Sequence, residues 1–392
     1  MTHPIVAELD AFKDELIAIR RDIHAHPETG FEENRTAALV AEKLRGWGVE
    51  VTENVGRTGV VGTIRGARPG NRAIGLRADM DALHIVEQTG LPYASTNPGK
   101  MHACGHDGHT TMLLGAARYL TETRNFDGTV YVIFQPAEEN FGGGDVMVKE
   151  GLFDRFPMER VFGLHNWPGA PEGTFYWRVG PIMAAVANLE VTITGRGAHG
   201  AMPHQGVDPI VIAAAIVQAL QSIVARNVEP VDAGVITIGH INGGFTYNVI
   251  PETVRMLGTA RWFAPDVGDI LERRFIETVT GIAAAMGATA TAEFRRAYPA
   301  TVNEEVSTHL AADAARAVQG EARVIPMPKP TMGGEDFSFM LNAKDGAYLM
   351  LGAGRGANDP QVHHPRYDFN DAILPVGASW WAMLAERLLA KA

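Results

Sequence analysis

The chain has 392 residues, enough for two domains or one large domain with an insertion. Hydrophobic residues make up 46% and charged residues 20%, the balance of a globular protein with a substantial core. A net charge of −11 with no basic run argues against nucleic acid or an anionic membrane as partner. The single cysteine, Cys104, rules out an intrachain disulfide and accords with a reducing compartment. The stretch Thr2 to Asp10 lacks the cationic start and apolar core of a signal peptide. No apolar run reads as long enough to span a bilayer, so no membrane association and a cytoplasmic location are expected.

In chain order, apolar positions at helical spacing (Val6, Leu9, Phe12, Leu16, Ile17, Ile19) predict a helix over residues 5–25, ending before Pro27. A second helix is expected near 32–47. Short β-rich runs follow at Gly59–Ile64 and Ala73–Arg77, the latter leading into Asp79 and Asp81. Next comes Met101-His102-Ala103-Cys104-Gly105-His106-Asp107-Gly108-His109, at the entrance of an apolar helical run from Met112 to Leu120. Thr129–Phe134 is a continuous β-prone run, as expected of a strand buried on both faces, and it ends in Glu138-Glu139. Arg160–Leu164 is another strand, with His165 just after it. Alternating strands and helices predict an α/β fold with a mixed, largely parallel central sheet and flanking helices, whose ligands bind beyond the carboxyl ends of the strands.

From about residue 182 the pattern changes to strand-helix-strand-strand-helix-strand, the order of a small α+β sandwich. Residues 182–298 therefore read as an inserted domain, with 1–181 and 299–392 forming a discontinuous first domain. The last stretch holds a helix near 304–318, Gly333-Gly334-Glu335-Asp336-Phe337, a strand at Ala347–Leu351, His363-His364 and a closing helix over 371–391.

Cys104, His106, Glu139, His165 and His363 form a thiolate, imidazole and carboxylate donor set. That mixture suits Zn²⁺, Mn²⁺, Co²⁺ or Ni²⁺ over Mg²⁺ or Ca²⁺. Five donors exceed one tetrahedral site, so two divalent ions are expected, bridged by the thiolate or by a water. Of the adjacent pair Glu138-Glu139, one carboxylate can bind metal while the other handles a proton. The competing reading has both carboxylates capping a following helix. Asp79 and Asp81 read as metal ligands, as groups that orient a histidine, or as a solvated strand end. His102 and His109 read as packing or supporting residues. In the inserted domain, His199 and His204 lie in a glycine-rich turn, where either could donate to a developing oxyanion or simply belong to a polar turn. Arg261 suits a substrate carboxylate, and Asn248 lies near a strand end of the same domain.

Taken together, the segments Arg21–Glu28, Leu76–Leu83, Met101–His109, Phe134–Glu139, Gly163–Trp167, Gly197–His204, Asn248–Pro251, Gly333–Phe337 and His363–Asp371 resemble the co-catalytic metallopeptidase family, over nearly the whole chain. The resemblance is to its branch of hippurate hydrolases, N-acyl-L-amino acid amidohydrolases and indole-acetyl-amino-acid hydrolases. It implies a metal-dependent amidohydrolase acting on N-acyl-L-amino acids. It also implies that Cys104, His106, Glu139, His165 and His363 bind two divalent ions, with Cys104 bridging, and that Glu138 is the general base. Asp81 matches an aspartate beside the site, while Asp79 stands where other branches have a metal-binding histidine. His199 matches a histidine that reaches a partner subunit's site, and Asn248 and Arg261 match substrate contacts. A homodimer or higher homo-oligomer is implied. Two alternatives stay open: a dipeptidase or carboxypeptidase on the same scaffold, and a non-catalytic metal-dependent binding protein.

Overall fold

The computed structural model describes residues 4–391. They divide into two compact units: one comprises the chain up to Ile182, Thr301–Pro330 and the chain from Glu335, and the other comprises Met183–Ala300 with Thr331–Gly334.

The first unit begins with α1 (Pro4–Asp10) and α2 (Lys13–Ala25), two helices where the periodicity predicts one. The break has a local cause: the Phe12 N–H bonds three residues back to the Leu9 carbonyl, closing a tight last turn. Next come α3 (Asn34–Gly46), β1 (Glu50–Val55), β2 (Gly59–Arg65) and β3 (Arg68–Asp79). They are followed by α4 (His106–Thr123), β4 (Asp127–Gln135), β5 (Arg160–Pro171) and β6 (Phe175–Trp177). With Asp345–Gly354 and Val324–Pro326, these strands make an eight-stranded sheet in the order β1, β2, β4, β3, β5, Asp345–Gly354, β6, Val324–Pro326. β3 runs parallel to β4 and β5, and β5 runs parallel to Asp345–Gly354. The first strands on one side, and the join of Asp345–Gly354 to β6, are antiparallel.

Interior strands are continuous apolar runs because helices cover the sheet. Leu113, Leu114, Leu120, Trp380 and Trp381, from α4 and the C-terminal helix Leu374–Leu388, are fully buried in one core with Val130, Val132, Phe162 and Leu164. Strand β1 escapes a sequence reading because only Val55 of its six residues is buried.

In the second unit, Gly234–Gly243, Thr253–Trp262, Ala185–Thr194 and Thr289–Tyr298 form an antiparallel sheet in that order. Helices Pro209–Asn227 and Pro265–Ala285 share its core through Ile212, Ile216, Leu220, Leu271, Phe275 and Val279. The fold class is thus the expected one: a mixed, largely parallel α/β sheet with a smaller α+β unit. One expectation needs correcting. By length and composition the Pro209–Asn227 helix can cross a bilayer, with a mean hydropathy of 1.6. Here its apolar stripe packs on the small sheet.

Candidate metal centre

The centre is built where strand ends of the large sheet meet the entrance of α4. Gly105 caps α4 with φ of 95°, and a Cβ there would lie 2.3 Å from the Asn166 amide nitrogen. Only glycine turns the chain this way without collision. The turn points Cys104 and His106 inward, and both are buried. β5 runs on to Pro171, so His165 lies within the strand rather than after it. The neighbouring strand causes this, staying in register alongside His165 (Met350) and beyond. The His363 N–H bonds to the Ala103 carbonyl at 2.7 Å, tying that loop to the cysteine segment. His363 holds φ of 66°, which is uncommon for a residue with a Cβ and typical of functional sites.

Of the five clusters of donor residues among the described residues, two contain Cys104. Cys104, His106 and His165 place one donor atom each within 4.8 Å of one another, and so do Cys104, Glu139 and His363. The two triads share one residue, Cys104. Its sulfur lies 3.4 Å from His165 Nε2, and His363 Nε2 lies 3.3 Å from Glu139 Oε1. Of the two adjacent histidines, it is His363 that joins the cluster.

The donor set fits a pair of cations on three counts. His106 Nε2 and Glu139 Oε1 are buried with no hydrogen-bond partner, a costly state for groups that nothing satisfies. His165 donates from Nδ1 to the Asn166 carbonyl at 2.6 Å, leaving Nε2 as a lone pair facing Cys104. Burial and the nearby His109 hold its pKa well below the usual histidine range, so it is a neutral donor. Burial, then Glu139, Glu138 and Asp79, push the Cys104 thiol well above its ordinary range, so a thiolate there requires nearby positive charge.

The supporting groups orient the donors. Asp81 Oδ1 lies 3.2 Å from His106 Nδ1, and Asp81 Oδ2 accepts the Glu139 N–H at 3.0 Å. One carboxylate thus fixes two candidate ligands and turns His106 Nε2 into the cluster. Burial opposes the imidazolium of His106, but Asp79 and Asp81 outweigh it and raise its pKa to about 10. Asp81 touches ligands, so it is a positioning residue. Asp81→Asn is expected to weaken cation binding by about 10–100-fold. Cation titration of the stripped protein checks this, and an affinity equal to wild type would contradict it.

Asp79 Oδ1 lies 2.6 Å from His109 Nδ1, and Asp79 Oδ2 accepts from Arg77 at 2.7 Å. His109 Nε2 in turn accepts the Asn166 N–H at 3.0 Å. Both ring nitrogens of His109 are engaged, so it supports the centre. His102 is fully buried, and neither of its ring nitrogens has a hydrogen-bond partner.

Glu138 is buried beside Glu139, and its Oε1 accepts the Asp336 N–H at 3.3 Å. Burial, then Glu335, Glu139, Asp336 and Asp81, push its carboxyl well above the usual range. The capping alternative for this pair does not hold, because the next helix, Gly143–Lys149, has Gly142 at its N-cap and no side-chain cap bond.

Sequence reasoning assigned no role to Arg77, Glu335, Asp336 or Glu33. The guanidinium of Arg77 is fully buried and bonds Gln135, Asp79, Glu335 and Asp336 at 2.7–3.1 Å. The signal was a charged residue inside a strand whose other positions read as core. Glu33 accepts the Ala137 N–H at 2.8 Å and holds the turn before Glu138.

Within the second unit, the Gly200 N–H bonds to the Asn248 carbonyl at 2.8 Å, which brings the His199 and Asn248 segments together. His199 is exposed, and its Nδ1 accepts the Ala201 N–H at 3.0 Å. His204 is also exposed, in a short 3₁₀ turn. Arg261 bonds the Thr259 hydroxyl and the Ala260 carbonyl, and no carboxylate pairs with it among the described residues.

Comparison with known proteins agrees with this chemistry. The chain is 40% identical to a hippurate hydrolase of Campylobacter jejuni, covering 98% of this chain and 99% of that one. It is 40% identical to an N-acetyl-L-cysteine deacetylase of Bacillus subtilis, covering 97% and 90%. A solved Bacillus subtilis structure described as a dinuclear metal-binding peptidase superposes with a TM-score of 0.82 at 33% identity, covering 97% and 99%. Residues 75–387 match the model of one family, and with these relatives they show that the chain belongs to peptidase family M20/M25/M40.

Proposed function

We propose that this protein is a metal-dependent amidohydrolase that cleaves the amide bond of N-acyl-L-amino acids, releasing a carboxylic acid and a free amino acid. The observation that carries this reading is the pair of donor triads sharing Cys104. His106 and His165 would hold one cation, Glu139 and His363 the other, and Cys104 both. Two such ions, when bound, supply Lewis acidity: they acidify water and polarise a carbonyl.

The chain's own residues do the rest. Glu138 takes a proton from the attacking water and returns it to the amide nitrogen as the C–N bond breaks. Burial and the surrounding carboxylates raise its pKa, the direction that lets it hold the proton between the two steps. Asp81 holds His106 and the Glu139 backbone in place. Arg261, lacking an internal carboxylate partner, anchors the substrate carboxylate, and Asn248 and His199 contact the substrate carbonyl. Mn²⁺, Zn²⁺, Co²⁺ or Ni²⁺ as the ions, a homodimer in which His199 serves the partner's site, and a cytoplasmic location belong to the same reading.

The test is a panel of N-acetyl- and N-benzoyl-amino acids against dipeptides, run on protein stripped by chelation and reloaded with each cation. Loss of acyl-amino acid hydrolysis on stripping and its return on reloading are expected. Faster cleavage of dipeptides would move the reading to a peptidase, and no cleavage with any cation would overturn catalysis.

A further inference from the structure

Ala137, one residue before Glu138, holds φ of 53° and is fully buried. Left-handed backbone is costly for a residue with a Cβ and persists only where its surroundings hold it. Three contacts do so here. The Ala137 N–H donates to Glu33 Oε1 at 2.8 Å. The Ala137 carbonyl accepts the Gly143 N–H at 3.0 Å. The backbone of Gly30 packs so closely that a Cβ there would lie 3.0 Å from that of Ala137.

The turn separates two adjacent carboxylates. Beyond Ala137, Glu138 Oε1 accepts the Asp336 N–H at 3.3 Å, while Glu139 Oε1 lies 3.3 Å from His363 Nε2. The Glu139 N–H is held separately, by Asp81 Oδ2 at 3.0 Å. Glu33 thus grips the turn on the Glu138 side, and Asp81 grips it on the Glu139 side.

Glu33 is itself fixed. It is fully buried at the N-cap of α3, where its side chain makes no capping bond. Instead Oε2 accepts the Thr58 hydroxyl at 2.6 Å, from the turn between β1 and β2. Both carboxylate oxygens are therefore engaged, and Glu33 belongs to none of the donor clusters among the described residues. Burial, then Asp81, push its carboxyl up to about 7, so losing its charge should leave the fold intact.

We infer that Glu33 is a positioning residue for proton transfer: braced by Thr58, it holds Ala137 in the left-handed turn that aims Glu138. This rests on the reading of Glu138 as the proton carrier.

The test uses the cation-loaded enzyme and the acyl-amino acid that wild type cleaves fastest. Glu33→Ala is expected to lower kcat by about 10–100-fold with KM within about twofold, the scale of a catalytic group misplaced by about 1 Å. Its cation affinity should change by less than about threefold, against about 10–100-fold for Asp81→Asn. Glu33→Gln should restore kcat to within about threefold of wild type, because the amide oxygen still accepts the Ala137 N–H and the amide nitrogen can donate to Thr58. Should Glu33→Ala fail to fold, Thr58→Val, which frees Oε2 alone, carries the same comparison with a smaller loss of kcat. Wild-type kcat in Glu33→Ala, a loss that Glu33→Gln does not recover, or a fall in cation affinity as large as that in kcat would overturn the assignment.

Hydrogen exchange separates this outcome from the reading of Glu138. Peptides covering residues 136–143 should exchange faster in Glu33→Ala and at the wild-type rate in Glu33→Gln. Equal exchange in wild type and Glu33→Ala would overturn the clamp whatever the activity. If Glu138→Gln turns over at the wild-type rate, the reading of Glu138 fails, and the exchange rates still decide whether Glu33 holds the turn.

Discussion

Glu138→Gln is expected to lower kcat by about three orders of magnitude while both cations stay bound. The substitution keeps the shape and the oxygen that accepts the Asp336 N–H, but removes the group that takes and returns the proton. The loss should fall on kcat rather than KM, because the proton moves only as the bond breaks. Stability should hold or rise, since the variant removes a buried carboxyl that faces Glu335, Glu139, Asp336 and Asp81. Steady-state kinetics, metal analysis and thermal melting check the three parts together. Near wild-type turnover with full metal content would remove Glu138 from the mechanism.

The second large effect is on stability. Arg77→Met should destabilise the fold by about 3–5 kcal/mol, because it leaves buried acidic groups without their cation. Asp79, Glu335 and Asp336 all bond this guanidinium, and all are buried. The pH dependence has a definite sign. Burial, then Glu335, raises the Asp336 pKa to about 8 even with Arg77 opposing the shift. Removing Arg77 raises it further. A carboxyl whose folded pKa exceeds its unfolded value stabilises fully below the unfolded pKa, near 4, and loses that contribution as pH rises through the folded pKa. The deficit of the variant should therefore be smaller at pH 5 than at pH 8. Arg77→Lys should recover only part of it, since an ammonium lacks the fork that reaches four acceptors. Denaturant titration at the two pH values checks this, and a loss below about 1 kcal/mol at both would contradict it.

Legibility in the sequence differs between these two groups for a physical reason. Cys104, His106, Glu139, His165 and His363 stand out because thiol, imidazole and carboxylate are the few groups that bind borderline cations. Such groups at the ends of predicted strands imply convergence before any contact is known. The Arg77 network carries no such mark. Its partner Glu335 lies 258 positions further along the chain, and an acidic pair after two glycines carries no mark of burial. The large sheet was legible from its apolar runs, yet His165 was placed beyond its strand. Strand length is set by the neighbour, and Asp345–Gly354 extends β5 through Trp167 and Pro171.

The most direct measurement is anomalous diffraction at the metal absorption edge from crystals of the protein loaded with Mn²⁺ or Zn²⁺. Two peaks are expected, one bounded by His106 and His165 and the other by Glu139 and His363. For zinc, Cys104 Sγ should lie about 2.3 Å from both. A single peak, or two peaks of which neither touches the sulfur, would contradict it.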